Sequence, residues 1–278
     1  MLRGSPVVSF ATYTRSPGTL ASSIRVAGHR IIGPTMIDVA ASAEAIRDRC
    51  RDAGNADRAV SERAYLKSDL EHLGTSVSEI RRVVKDFLSA HLDLTRDELV
   101  SLTRLLWAEP VHECRMSAVM LVELDAPRLG PGDLDLVETM IRGSRSWAYV
   151  DALAANVAGS LLVRYPELAS RIDRWAVDDN FWVRRSALLA MILPLKQGAA
   201  FETFAGYADA MLDQKEFFIR KAIGWVLRDT SKRRPLEVYE WVLPRASRAS
   251  GVTLREAVKY LDPVQRQEVL EAAGKRPS

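Results

Sequence analysis

From Met36 onward, apolar residues recur every three or four positions. Leu99, Leu102 and Leu106 form one such stripe; Ile219, Ile223 and Val226 form another. That spacing is the period of a helix with one buried face. No window alternates apolar and polar residues with the period of a strand, and no Asn-Gly or Asp-Gly pair marks a hairpin. Start signals agree with the helical reading. Ser76 precedes Glu79, Thr95 precedes Glu98 and Thr253 precedes Glu256, each at the spacing of a capping box. Pro110, Pro131 and Pro166 stand where helices would begin, since a proline ring is tolerated in a first turn. The pattern predicts about a dozen helices of about 12–18 residues. Turns fall near residues 55, 74, 93, 109, 128, 144, 165, 179, 196, 214, 232 and 251.

An all-α fold follows. Helix pairs of about 40 residues are the size of HEAT repeats, which stack into a curved solenoid as each pair buries its apolar face against its neighbours. The expectation is a HEAT-like solenoid with a long concave surface. Residues 36–278 form a single helical-repeat domain in this reading. Residues 1–35 are set apart from it. They are rich in Ser, Thr, Gly and Pro and carry four Arg but no acid and no Lys. A targeting peptide, a disordered tail, or an over-extended reading frame with its natural start at Met36 all fit that composition.

At 47% hydrophobic and 27% charged residues, the chain has the composition of a soluble globular protein able to bury a sizeable core. No run of about eighteen apolar residues suggests a membrane span. Cys50 and Cys114 have neither CxxC spacing nor a His partner at metal-ligand spacing, so neither a disulfide nor a zinc site is expected. A reduced, cytoplasmic compartment is the default. His29, His72, His91 and His112 are scattered without pattern. There is no GxGxxG, Walker A, HExxH or GxSxG motif, and no cofactor or metal is implied. The net charge of +3 is uninformative, but its distribution is not. Residues 181–260 hold 14 Lys/Arg and 8 Asp/Glu. A phosphate backbone would be drawn there; a solvated basic surface without a partner fits equally well.

Three segments carry candidate chemistry. Trp147 and Asp151 lie four apart in SRSWAYVDALAANVAGSLL, on one helix face after a cap at Ser146. They continue into small Ala155 and Ala158, away from a core stripe of Val150, Leu153 and Val157, as at an open site; a surface acid beside a half-buried Trp is the plainer alternative. In DDNFWVRRSALLAMILPLK, Arg185 stands three after Trp182, and Arg184 and Arg185 either bind phosphate or cap an ordinary core helix. In KEFFIRKAIGWVLRDTSKRR, Trp225 lies off the core stripe, with Lys221 four before it and Arg228 three after. An aromatic plane between cations suits nucleic acid, and a Trp covered by the next helix suits the same spacing.

These segments resemble the bacterial DNA alkylation repair glycosylases of the AlkD type. KEFFIRKAIGWVLRD carries the likeness most specifically. YLKSDLEHLGTSVSEIRRVVKDF, LWAEPVHECRMSAVMLV, RSWAYVDALAANVAGSLL and WAVDDNFWVRRSALL follow the family in the same order, over about residues 56–262. The resemblance implies that Asp151 is the catalytic carboxylate and that Trp147 and Trp225 contact the deoxyribose of the damaged nucleotide. It implies that Arg185 holds the DNA backbone and that Tyr65 lines the cleft; Arg184, Lys221 and Arg228 would add DNA contacts. Ser146 stands where the family often has a second tryptophan. The implied activity is excision of cationic N3- and N7-alkylpurines from duplex DNA without a base-flipping pocket. No lysine is expected at the reacting centre, and so no lyase chemistry. A monomer that clamps one duplex is the default. The competing readings are a helical-repeat scaffold for protein partners and a DNA binder without catalysis.

Overall fold

The computed structural model describes residues 37–199 and 201–274. The expectation for residues 1–35 lies outside them. The described chain is helical: α1 (Val39–Asp52), α2 (Ala56–Leu66), α3 (Val77–Ala90), α4 (Arg96–Ala108), α5 (His112–Leu124), α6 (Leu134–Arg142), α7 (Trp147–Ala152), α8 (Gly159–Arg164), α9 (Ala169–Ala176), α10 (Phe181–Ala190), α11 (Ile192–Lys196), α12 (Phe201–Met211), α13 (Phe217–Ser231), α14 (Pro235–Val242), α15 (Gly251–Ala257) and α16 (Pro263–Ala272). A π-helical turn, Leu153–Ala158, joins α7 to α8 without a break. There is no strand among the described residues, only an isolated parallel bridge between Glu71 and Val111. The all-α class is therefore the one expected.

Helix starts follow local chemistry. Ser76 and Glu79 close a capping box at α3, and Thr95 and Glu98 close one at α4. The third expected box is corrected. Ser250, not Thr253, caps α15, with the Thr253 amide donating to Ser250 Oγ at 3.1 Å. Thr253 instead donates its hydroxyl to the Arg220 carbonyl on α13, and Glu256 pairs with Arg228. A tertiary partner outcompeted a local one at the same spacing.

Neighbouring helices pack mainly in chain order. α1 lies on α3 and α4, α5 on α4 and α7, α10 on α9 and α13, and α13 on α14 and α15. One apolar core runs from Ile46 to Val269 and includes both stripes read from the sequence. Val150, Leu153 and Val157 are buried as expected, but so are Ala155 and Ala158. The small residues let neighbouring helices come close rather than opening a surface.

The stretch after α2 departs most from the pattern. α2 ends at Leu66, with Lys67 in the left-handed region at φ 50°. Residues 68–76 then run without helix past the start of α5. The Glu71 amide donates to the Pro110 carbonyl, and the amides of Leu73, Gly74 and Thr75 all donate to the fully buried Glu113 carboxylate. Gly74 has φ +79°, and a Cβ there would meet the Asn55 carbonyl oxygen at 1.9 Å, so only glycine fits the crossing. A buried carboxylate that satisfies three amides offsets the helix turns the segment forgoes.

Candidate functional site

Five elements converge on a cleft of about 630 Å³. α2 contributes Tyr65, α7 contributes Trp147 and Asp151, α10 contributes Arg185, and α15 contributes Glu256. α13 supplies Phe217, Phe218, Lys221, Trp225 and Arg228. The helical period explains the α13 set, since residues 217, 221, 225 and 228 recur at three- or four-residue spacing along one face, opposite the buried Ile219, Ile223 and Val226. The close approach of α15 is set by Gly224, where a Cβ would stand 2.9 Å from Glu256 Cβ and 3.1 Å from Thr253 Cα.

Asp151 is one of two carboxylates that line this cleft, with its side chain 19% exposed. Arg185 Nε donates to Oδ1 and Nη2 to Oδ2, each at 2.8 Å, and Arg185 Nη1 donates to the Phe218 carbonyl. Burial pushes the Asp151 carboxyl above its ordinary range, against the downward pull of Arg185 and Lys221. Burial also presses the Arg185 pKa down. Arginine nonetheless keeps its proton in proteins, so the pair is ionic in the folded state.

The walls are aromatic. Tyr65 is 73% exposed and stands edge-on to Trp147 at 6.3 Å between ring centroids and 88° between planes. Trp147 is 36% exposed, and Trp225 is half-buried. Phe217 and Phe218 complete the wall. They were missed as candidates because two adjacent phenylalanines before a core stripe look like core. Glu256 was missed because its spacing suggested a cap.

The structure thus brings together Tyr65, Trp147, Asp151, Arg185, Lys221, Trp225 and Arg228. Three placements bear on the expected roles. Arg185, expected to hold the DNA backbone, is 1% exposed and gives its guanidinium to Asp151 and to the Phe218 carbonyl. Arg184 does not line the cleft. It donates to the carbonyls of Asp178 and Asp179, to Gln214 and to Glu216, tying the turn before α10 to the turn before α13. Lys221, expected as a DNA contact, lines the cleft together with Asp151. Trp182 is buried against Phe181 and Phe218, outside the cleft lining. Cleft charges are mixed: Arg228 is paired with Glu256, while Lys221 makes no ion pair among the described residues. Ser146 caps α7 by accepting from the Ala148 amide, and it borders a second cavity of about 460 Å³ that Lys67, Arg115, Arg145 and Tyr149 also line. Cys50 and Cys114 are both free and buried, their thiols pushed up to about 11 and about 12 by desolvation.

The helical array thus sets one half-buried acid, two tryptophans and several cations in a single cleft. The chain belongs to the DNA alkylation repair enzyme family, whose sequence model matches residues 46–261. Its partner is accordingly DNA. Among solved structures, a predicted DNA alkylation repair enzyme from Enterococcus faecalis superposes with a TM-score of 0.69 at 24% identity, covering 76% of this chain and 97% of that one. AlkD2 from Streptococcus mutans superposes with a TM-score of 0.50 at 19% identity, covering 75% of this chain and all of that one. At such identities these likenesses concern the fold. No curated protein matches. No helix among the described residues is long and apolar enough to cross a membrane.

Proposed function

We propose that the chain is a monofunctional DNA N-glycosylase that excises cationic N3- and N7-alkylated purines from duplex DNA. The observation that carries this reading is Asp151, a carboxylate gripped at both oxygens in a cleft walled by Trp147, Trp225 and Tyr65.

Alkylation at N3 or N7 puts a positive charge on the base, which then leaves as a neutral molecule. No strong general acid is needed. The bond between C1′ and the base breaks with both electrons going to the base, and the sugar becomes cationic. A carboxylate about 4 Å from that cation is worth at most about 4 kcal/mol at an effective dielectric near 20, or about three decades of rate. Arg185 reduces that figure by neutralising part of the charge. It also fixes the carboxylate in place, leaving lone pairs free toward the cleft. The faces of Trp147 and Trp225 add cation–π attraction of about 0.5–2 kcal/mol each. Water then attacks C1′, and in this reading Asp151 orients it and accepts its proton.

The wide, half-exposed cleft suits contact with the sugar of a duplex held along the helical array better than capture of a flipped base. In this reading the enzyme is a cytoplasmic monomer, nucleoid-associated when bound to DNA, that clamps one duplex along a concave basic face. Excision is measured on duplexes carrying N7-methylguanine and on duplexes carrying uracil. Release of methylguanine with uracil untouched is expected; equal release of both, or neither, overturns the substrate assignment. Borohydride trapping tests the monofunctional assignment. No covalent adduct is expected, and an adduct that vanishes in Lys221→Ala overturns it.

A further inference from the structure

Behind the Tyr65–Trp147 wall, three side chains that look unrelated in sequence meet. His72 and His112 stack with their centroids 4.4 Å apart and their planes within 6°. Glu62 Oε2 lies 3.6 Å from His72 Nδ1, too far for a hydrogen bond. The side chain of His72 is 1% exposed, yet neither of its ring nitrogens has a hydrogen-bond partner, and Glu62 Oε2 is also buried without one. Such unpartnered buried groups are rare and need a reason. One donor atom from each of Glu62, His72 and His112 falls within 4.8 Å of the others.

We infer that Glu62, His72 and His112 form a structural binding site for a divalent first-row metal of the zinc type. Two imidazoles and a carboxylate are a donor set that suits zinc. His112 Nδ1 is 2.6 Å from the Tyr149 hydroxyl, which fixes the ring and leaves Nε2 for the ion. Two parallel rings cannot both aim their in-plane lone pairs at one ion, so binding requires His72 to turn out of its stack on His112. His72 makes no hydrogen bond that would hold it in the stack, and Glu62 Oε2, 3.6 Å from His72 Nδ1, is likewise unpartnered. A surface hollow lined by Ala59, Val60, Arg63, Leu70 and Glu71 also borders His72.

The location supplies the purpose. α2 has no fully buried side chain, so little apolar packing secures it. It nevertheless carries Tyr65, three residues after Glu62 and edge-on to Trp147. A metal there ties α2 to α5 through His112 and to the extended 68–76 segment through His72. Through Tyr149 it braces α7 two residues beyond Trp147. The site is a staple that holds one wall of the cleft.

The test is metal binding by the full chain, independent of excision. Chelator-stripped protein is titrated with zinc against a chromophoric competitor, and the melting temperature is read with and without one equivalent. One tight equivalent with a higher melting temperature is expected, and affinity falls at least about a hundredfold in His72→Ala and in Glu62→Gln. Because either variant could unfold, circular dichroism accompanies each, and the visible absorption of cobalt(II) bound to the unmodified protein reports imidazole ligation directly. No stoichiometric binding, no imidazole-type cobalt spectrum, or affinity unchanged in both folded variants overturns the site.

Discussion

Arg185 grips Asp151 at both oxygens, 2.8 Å on each side, and anchors itself on the Phe218 carbonyl of α13. The acid that faces the cleft from α7 is thus positioned by α10 and α13, and its charge is held where water alone would not keep it. If Asp151 shelters the cationic sugar, Asp151→Asn should lower single-turnover excision of N7-methylguanine by about two to three orders of magnitude. Duplex affinity should hold or improve. Because Asp151 is the bidentate partner of the buried Arg185 guanidinium, the neutral amide leaves that charge without its anion, and the melting temperature should fall while the variant stays folded. Unchanged excision by the folded variant would remove Asp151 from the mechanism.

The same shift sets the pH dependence. The folded-state pKa of Asp151 is raised by burial, so the carboxylate begins to protonate at a higher pH than an ordinary aspartate, near 3.9. As pH falls through the raised value, catalysis is lost. Its stability contribution runs the other way: it is largest in acid and lost as pH rises through the raised pKa. After subtraction of spontaneous depurination, excision should show an acid limb that moves further up in Arg185→Gln, where the downward pull of the guanidinium is gone. A limb unmoved by that substitution would separate Arg185 from Asp151.

How much of this was legible in the sequence depends on what each residue answers to. The stripes Leu99–Leu106 and Ile219–Val226 and the caps at Ser76 and Thr95 are local physics, and all are found as read. Trp147, Asp151, Lys221 and Trp225 share a cleft because helical spacing placed them on faces that the fold turns toward one another. Tertiary partners decided the rest. Thr253 and Glu256 abandoned their local pairing for α13, and the buried Glu113 drew residues 73–75 out of the helical pattern. His72 and His112 met across forty residues that no spacing rule connects.

The tryptophans should act as faces rather than as spacers. Cation–π attraction of about 0.5–2 kcal/mol corresponds to about two- to thirtyfold in rate. Trp147→Ala and Trp225→Ala should each lower the excision rate constant within that range, whereas Trp→Phe should restore part of it. A loss seen only in the substrate concentration dependence would mean that the rings bind DNA without stabilising the sugar.

Gly224 holds α13 and α15 in contact, and its side should tolerate no methyl group. Gly224→Ala would press on Glu256 Cβ and on the Thr253 backbone, so the helices must separate. The expected cost is about 1–3 kcal/mol in denaturant unfolding. The Arg228–Glu256 pair at the cleft edge should be disturbed with it. A variant as stable as the parent would show that the contact yields freely.

Lys221 and Arg184 separate a DNA contact from a fold contact. Both are cations near the cleft helices, but only Lys221 lines the cleft, and it has no ion-pair partner among the described residues. If it meets a phosphate, Lys221→Ala should flatten the dependence of log affinity on log salt by about 0.9 units, the release of one counterion. Arg184 spends its donors on Asp178, Asp179, Gln214 and Glu216. Arg184→Ala should therefore leave the salt slope unchanged and lower the melting temperature, since two turns lose their tie. The reverse pattern, a flatter slope for Arg184→Ala and none for Lys221→Ala, would place the duplex along a different face from the one that Asp151 looks onto.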